Sequence, residues 1–232
     1  MVIIMATSII NLVSSIIDGI RDTSLISSIS NVGNIYTINT PDTKRLVIGD
    51  FISISGNNYK ILTLTINTKF TVSSTIPIIG STWTALAPYF FYGTPIMISN
   101  SIDHIKDYQE KYPIIVLFET MPAVVNDDET KNLERTVSLE MYFCNEANFK
   151  DWDSSEYYSN VIDKMQVYID DFIKQCENTA NIGLLSSHSE TSFSKWNLKR
   201  LDTGTNVFNA ELSAIKLEID LPILKTLECE SD

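Results

Sequence analysis

Cysteine is scarce in this chain, with three residues among 232 and no CxxC pair. That excludes a disulfide-stapled miniprotein and leaves Cys144, Cys176 and Cys229 as reduced, structural thiols of a cytosolic folding environment. Eight glycines and seven prolines exclude collagen-like and low-complexity architectures. Basic side chains are also few, 17 against 29 acidic ones, for a formal charge of −12. A grip on nucleic acid by counterion release needs clustered Lys and Arg, so such a grip is disfavoured. There are only two histidines, and HExxH, HxE with PCxxC, GxSxG, GxxxxGK[ST] and GxGxxG are all absent. What is present is apolar: 44% hydrophobic against 20% charged residues, enough to bury a core and inconsistent with disorder.

The first twenty residues, MVIIMATSIINLVSSIIDGI, raise the question of a signal peptide or a membrane span. No Lys or Arg precedes Arg21, so the basic region of a secretory signal is missing. Ile9, Ile10, Val13, Ile16, Ile17 and Ile20 recur at the three-and-four spacing of an amphipathic helix that packs on a core. After a Ser-rich connection, TSLISSISN, the period changes to two. NIYTIN, FISIS, YKILTLTI, KFTVSS and STWTAL then read as short antiparallel strands. Turns are expected at Gly49-Asp50 and Gly56-Asn57-Asn58. These strands predict a small β-barrel or sandwich over residues 32–95, inserted into a domain made of 1–31 and 96–232.

Beyond the insert, SIDHIKDYQEKY suits a short helix ended by Pro113, and PIIVLFE a buried strand. Val137, Leu139, Met141 and Phe143 alternate with Ser138, Glu140 and Tyr142, as in a strand with one face on a core. The two strands are expected to form a hairpin around the acidic loop MPAVVNDDETKN. Val161, Ile162, Met165, Tyr168, Ile169, Phe172, Ile173 and Cys176 form one helical stripe, opened by Asp153 and Glu156 in a capping-box spacing. SFSKWNLKRL and FNAELSAIKLEIDLPI predict a closing hairpin, with a phase slip at Ala214-Ile215 that suggests a bulge. The fold class expected is α+β, an antiparallel sheet covered by helices on one side, with an inserted small all-β domain.

No constellation points to catalysis, a cofactor or a metal. His188 in SSHSE has hydroxyl and carboxylate neighbours, but they are neighbours in sequence on what reads as a loop; His104 reads as a helix-surface residue. Asp151 to Glu156 lacks the central Gly and distant Glu of a calcium loop. Asn126, Asp127, Asp128 and Glu129 are better explained as a solvated hairpin tip than as a cation site. The aromatics of PYFFYG and of Trp152, Tyr157 and Tyr158 are either core or contact anchors for another protein.

Outside the insert, the order helix, strand, loop, strand, helix, hairpin resembles the tail-terminator and tail-completion proteins of tailed bacteriophages and related head-tail joining proteins. The resemblance is carried by the N-terminal helix Ala6 to Arg21, YPIIVLFE, ERTVSLEMYFCNEANF, YYSNVIDKMQVYIDDFIKQ and FNAELSAIKLEIDLPI. The β insertion is a departure, since the small terminators lack it. The resemblance implies a non-enzymatic virion component, made in the host cytoplasm and placed at the head-tail junction or tail. It implies a homo-oligomeric ring of six or twelve copies around the DNA channel, between neighbouring neck, portal or tail proteins. DNA would pass the lumen without sequence-specific binding, eased by an acidic wall, and no membrane is involved. Subunit contacts are expected at Asp127, Asp128, Glu129, Trp152 and Tyr157, and the insert would dock a neighbour through exposed strand edges. The alternatives are a tail or baseplate accessory module whose insert recognises a protein or carbohydrate, and a hydrolase using His188 or the Asp127 region.

Overall fold

Between Asp18 and Ala87 the alternation of Ile, Val and aromatic residues with Thr, Ser and Asn builds a β unit of its own. The computed structural model describes residues 3–20, 23–43, 46, 48–85, 88–103, 113–118, 123–125, 133–197, 204, 206 and 211–224. In the β unit these form β1 (Thr23–Leu25), β2 (Ser28–Val32), β3 (Ile35–Asn39), β4 (Phe51–Ile54), β5 (Asn57–Thr65), β6 (Lys69–Ser73) and β7 (Thr82–Ala85). All pair antiparallel, in the order β1-β7-β4-β5-β6-β3-β2. The end strands β1 and β2 are separated only by Ile26 and Ser27. At that bend the Ile26 N–H donates to Ser81 on one side and the Ser27 N–H to Asn39 on the other, both at 2.8 Å. Thr23 to Val32 is therefore one bent strand that closes the seven-strand path into a barrel.

Inward residues of every second position fill the barrel: Ile38, Ile52, Ile54, Ile61, Phe70, Val72 and Trp83 are all buried. Thr40, also buried, accepts from the Trp83 indole N–H at 3.0 Å and meets the Ser24 hydroxyl at 3.3 Å, joining β7 and β1 at the end of β3. β4 and β5 are linked by Ser55 and Gly56, with φ of 50° and 83°. Two successive positive values are what a two-residue type I′ hairpin requires, so this turn falls one residue earlier than Gly56-Asn57-Asn58.

Two expectations for the insert are corrected. Its bounds are Asp18–Ala87, not 32–95. TSLISSISN is strand and not connection, while Tyr89–Gly93 belongs to the other unit. Nor does the insert offer free strand edges, because the bent first strand closes it.

The second unit is formed by Met1–Ile17 and Pro88–Asp232. Its first helix, α1 (Ile3–Asp18), buries Ile9, Val13, Ile16 and Ile17 as the periodicity predicts. Its strands are β8 (Tyr89–Gly93), β9 (Ile114–Phe118), β10 (Ala123–Val125), β11 (Leu133–Glu146), β12 (His188–Trp196) and β13 (Leu212–Leu224). They form one sheet in the order β12-β13-β11-β9-β8, with β10 beside β11. All pairs are antiparallel except β8 with β9, which is parallel. That parallel pair is bridged through α2 (Pro95–Asp103), since parallel neighbours need a crossover.

One face of this sheet carries Val137, Leu139, Met141 and Phe143, set opposite Leu221, Ile219, Leu217 and Ile215 of β13. A single long helix covers this face: α3 (Ser154–Tyr157), a π-helical turn (Tyr158–Ile162) and α4 (Asp163–Glu177). Val161, Met165, Tyr168, Ile169, Phe172 and Cys176 are buried along it, whereas Ile162 and Ile173 of the expected stripe are half-buried. Each fully buried side chain of this size contributes about 1.5–3 kcal/mol. The other face is covered in part: Ile98 of α2 clusters with Phe91, Ile114, Val116, Cys144, Leu212 and Ala214. Helices therefore lie on both faces, not one.

This double cover explains the phase slip at Ala214-Ile215, which is not a bulge. Leu212 to Ile215 are buried in succession because both faces are covered there, and the β11–β13 register runs through them unbroken. The irregularities fall instead between Leu133 and Arg135 and between Phe193 and Trp196.

The helix start is a reciprocal capping box: the Asp153 carboxylate accepts the Glu156 N–H at 2.9 Å, and the Asp153 N–H donates to Glu156 at 3.1 Å. Asp153→Ala is expected to lower stability by about 1 kcal/mol, while Asp153→Asn, which keeps the acceptor, is nearly neutral. Denaturant midpoints of the two variants check this.

Candidate assembly surfaces

The residues expected at subunit contacts fall into three groups. Asp127, Asp128 and Glu129 lie outside the described residues. Just before them, Val124 and Val125 of β10 are 74% and 66% exposed, although they pair in register with Thr136 and Arg135. An exposed pair of valines on a short outer strand is an apolar contact patch.

Trp152 is half-buried, its N–H donating to the Asn148 carbonyl at 3.1 Å. Tyr157 is half-buried and held within its own unit. Its ring packs 5.6 Å from Phe149, and its hydroxyl lies 3.0 Å from that of the buried Ser213, which in turn donates to the Ser194 carbonyl at 2.8 Å. The helix start is thereby tied to β13 and β12. Tyr158, the next residue, is the aromatic that faces outward, at 58% exposure.

PYFFYG resolves into both of its alternatives. Phe91 is core, whereas Tyr89 and Tyr92 are exposed, as are Ile96 and Met97 at the start of α2. β8 ends the strand order, so these side chains lie at an outer strand of the sheet.

Beside the Phe91 and Ile98 cluster, the same sheet face carries polar residues around an aromatic centre. Tyr142 stacks on Trp196 with ring centroids 5.3 Å apart, and Phe118 meets it edge-on at 5.4 Å. Its hydroxyl donates to Glu140 at 2.7 Å. Burial, then that bond and the charges of Glu140 and Glu218, push the Tyr142 phenol well above its ordinary range. Glu140 and Glu218 sit directly opposite each other across β11 and β13, a placement that repels. Lys216, 2.8 Å from Glu218, and the Ser189 hydroxyl, 2.9 Å from it, offset the repulsion and hold the Glu218 carboxyl below its usual range. The Tyr142 cluster was not anticipated. Its only trace in the sequence is an aromatic at a position whose alternation calls for a polar residue.

Among the described residues His188, Cys144 and Cys176 lie apart from one another in the fold. His104 is outside the described residues. His188 is the first residue of β12, not a loop residue, paired with Ile219; its Nε2 lies 3.2 Å from Glu190, which also accepts from Gln166. Asp151 accepts from Asn148 at 2.8 Å, beside the capping box. Among the described residues no three His, Cys, Asp or Glu side chains come together as a metal would need, and no helix is long and apolar enough to cross a membrane. Cys144 and Cys176 are free and buried. Burial raises the Cys144 thiol well above its ordinary range; Cys176 is pushed up to about 12 by burial and the neighbouring Glu177. Both are expected to resist thiol reagents at neutral pH until the protein unfolds. Mass mapping of alkylated peptides, with and without denaturant, checks this; labelling of either in the native state contradicts it.

No family model, no curated protein and no solved structure matches the chain.

Proposed function

We propose that the chain is a structural virion protein that assembles as a ring at the phage neck or tail, surrounding the DNA channel without catalysis, cofactor or sequence-specific DNA binding. The observation that carries this reading is topological: Ile114–Phe118, Leu133–Glu146 and Leu212–Leu224 share one helix-covered sheet, and the β unit interrupts the chain immediately after α1. Without the insert, α1, β9, β11, the long helix, β12 and β13 follow in the order on which the resemblance to tail-terminator proteins rests, with β8, α2 and β10 as additions. The formal charge of −12 suits a conduit wall past which a duplex slides. The exposed Val124 and Val125 on β10 and Tyr89 and Tyr92 on β8 support the reading, since apolar side chains on outer strands suit contacts between copies.

Light scattering and negative-stain imaging of the purified protein test the reading. Closed rings of six or twelve copies are the expected result, and a chain that stays monomeric at high concentration contradicts it. Trp152→Ala is expected to weaken the assembly while sparing the melting transition; an unchanged assembly removes the helix start from the contact.

A second reading, an accessory binding module, draws on the barrel. Val32 at its first hairpin and Ile79 ahead of β7 are 86% and 79% exposed, as recognition loops on a rigid scaffold are. A lasting monomer that binds a tail protein or glycan favours it.

A further inference from the structure

Unpaired N–H and C=O groups on an outer strand recruit other strands, and natural sheets guard such strands with charge, proline or a bulge. Among the described residues the barrel path closes on itself, whereas the sheet of the second unit has outer strands at its two ends, β12 and β8, besides the three-residue β10 beside β11. Neither end strand is guarded by net charge, and the register irregularity of β12 is confined to Phe193–Trp196, which leaves His188 to Phe193 regularly paired. β8 reads YFFYG without a charged residue, and β12 reads HSETSFSKW with one acid, Glu190, balanced by one base, Lys195. In a chain of formal charge −12, these two edges are places where copies can approach without adding like-charge repulsion.

The backbone of β8 is oriented for such a contact. The Tyr89 N–H donates inward to the Pro113 carbonyl at 3.1 Å. Strand alternation then turns the N–H and C=O groups of Phe90 and Tyr92 away from β9. Strand directions supply the rest. β12 runs opposite to β13, β13 opposite to β11, β11 opposite to β9, and β9 along β8. β12 and β8 therefore run in opposite directions. A rotation about an axis along which the strands run preserves those directions, so in such a ring β12 of one copy meets β8 of its neighbour antiparallel, the commoner and more stable ladder.

We propose that the β12 edge of one copy adds to the β8 edge of the next copy, making the sheet continuous from subunit to subunit. This rests on the ring reading above and supplies its contact. Tyr89 and Tyr92 would be covered by the incoming strand, whose small Ser189, Thr191, Ser192 and Ser194 leave room for them.

Hydrogen exchange on the wild-type assembly, alongside Tyr92→Pro, tests the pairing. Proline removes an outward N–H and leaves the ladder to β9 intact, a placement that outer strands tolerate. In the assembly, the Phe90 and Tyr92 amides and those of β12 are expected to exchange at least roughly tenfold more slowly than in protein dissociated by dilution, and Tyr92→Pro to be monomeric with an unchanged melting transition. An assembly in which these amides exchange freely, or in which a folded Tyr92→Pro still assembles, overturns the pairing and leaves the ring standing. Protection of β8 without β12 points to a two-fold β8–β8 contact and also overturns it. A wild-type chain that never assembles overturns both. Should Tyr92→Pro fail to fold, the wild-type exchange pattern alone decides.

Discussion

Replacing Phe172 by alanine is expected to cost the sheet-and-helix unit about 3–5 kcal/mol, the range for an aromatic removed from a core that cannot collapse around the gap. Phe172 is fully buried, and its ring meets Phe143 at 6.1 Å and 67°, an edge-to-face contact between the long helix and the central strand β11. On both sides the backbone is held, by the helix ladder and by a strand paired along its length with β13, so the void persists. Most single domains have only about 5–15 kcal/mol to lose. The denaturant midpoint of Phe172→Ala should fall steeply, with Phe172→Leu in between. A loss under about 1 kcal/mol would mean that the helix does not rest on the sheet as described.

Trp83→Ala is expected to be equally damaging to the other unit, again about 3–5 kcal/mol. Trp83 is buried at the centre of the barrel, edge-on to Phe70 with centroids 5.8 Å apart, and its indole N–H is bonded to Thr40. Trp83→Phe keeps most of the apolar contact and removes the donor, for a smaller loss of about 1–3 kcal/mol. Because the chain divides into two compact units, the loss should be local. Amides of Ile38, Ile61 and Phe70 are expected to lose exchange protection, and those of Val137 to Phe143 to keep theirs. Equal loss in both sets would show that the two units unfold together.

The sequence made some elements legible and hid others for physical reasons. β11 and the long helix were plain because each has one face on a core, so burial imprints its period on the residues. The barrel strands β3 to β7 were plain for the same reason. β1, β2 and the start of β12 are mostly exposed; with little to bury, TSL, SISNV and HSET carry no period and resemble loops, whereas SFSKW was read as strand. β8 was assigned to the wrong unit because five apolar and aromatic residues suit either sheet, and only the parallel partner, 25 positions downstream in register, decides between them. The helix expected over SIDHIKDYQEKY shares Ser101 to Asp103 with α2 and otherwise lies outside the described residues, but the start of α2 at Pro95 was not read. Its signal was present as Thr94-Pro95, a hydroxyl cap followed by the proline that favours a first helical position: the Met97 N–H donates to the Thr94 hydroxyl at 3.4 Å and the Ile98 N–H to its carbonyl at 3.0 Å. The isoleucines and methionine of PIMIS masked it by looking like strand.

Of the surfaces, the aromatic content of PYFFYG was visible as a possible contact, but not the fact that it lies on an outer strand. That is a property of strand order, which no local pattern encodes.

The closure of the barrel by its own bent first strand bears on how such a chain can change over generations. A lobe whose strand ladder closes on itself needs no strand from elsewhere to pair its backbone, and the entropy of the detour through it grows only with the logarithm of its length. Insertions at the tips of its hairpins leave that closed ladder intact, so these tips are where variants of this protein would diverge most freely.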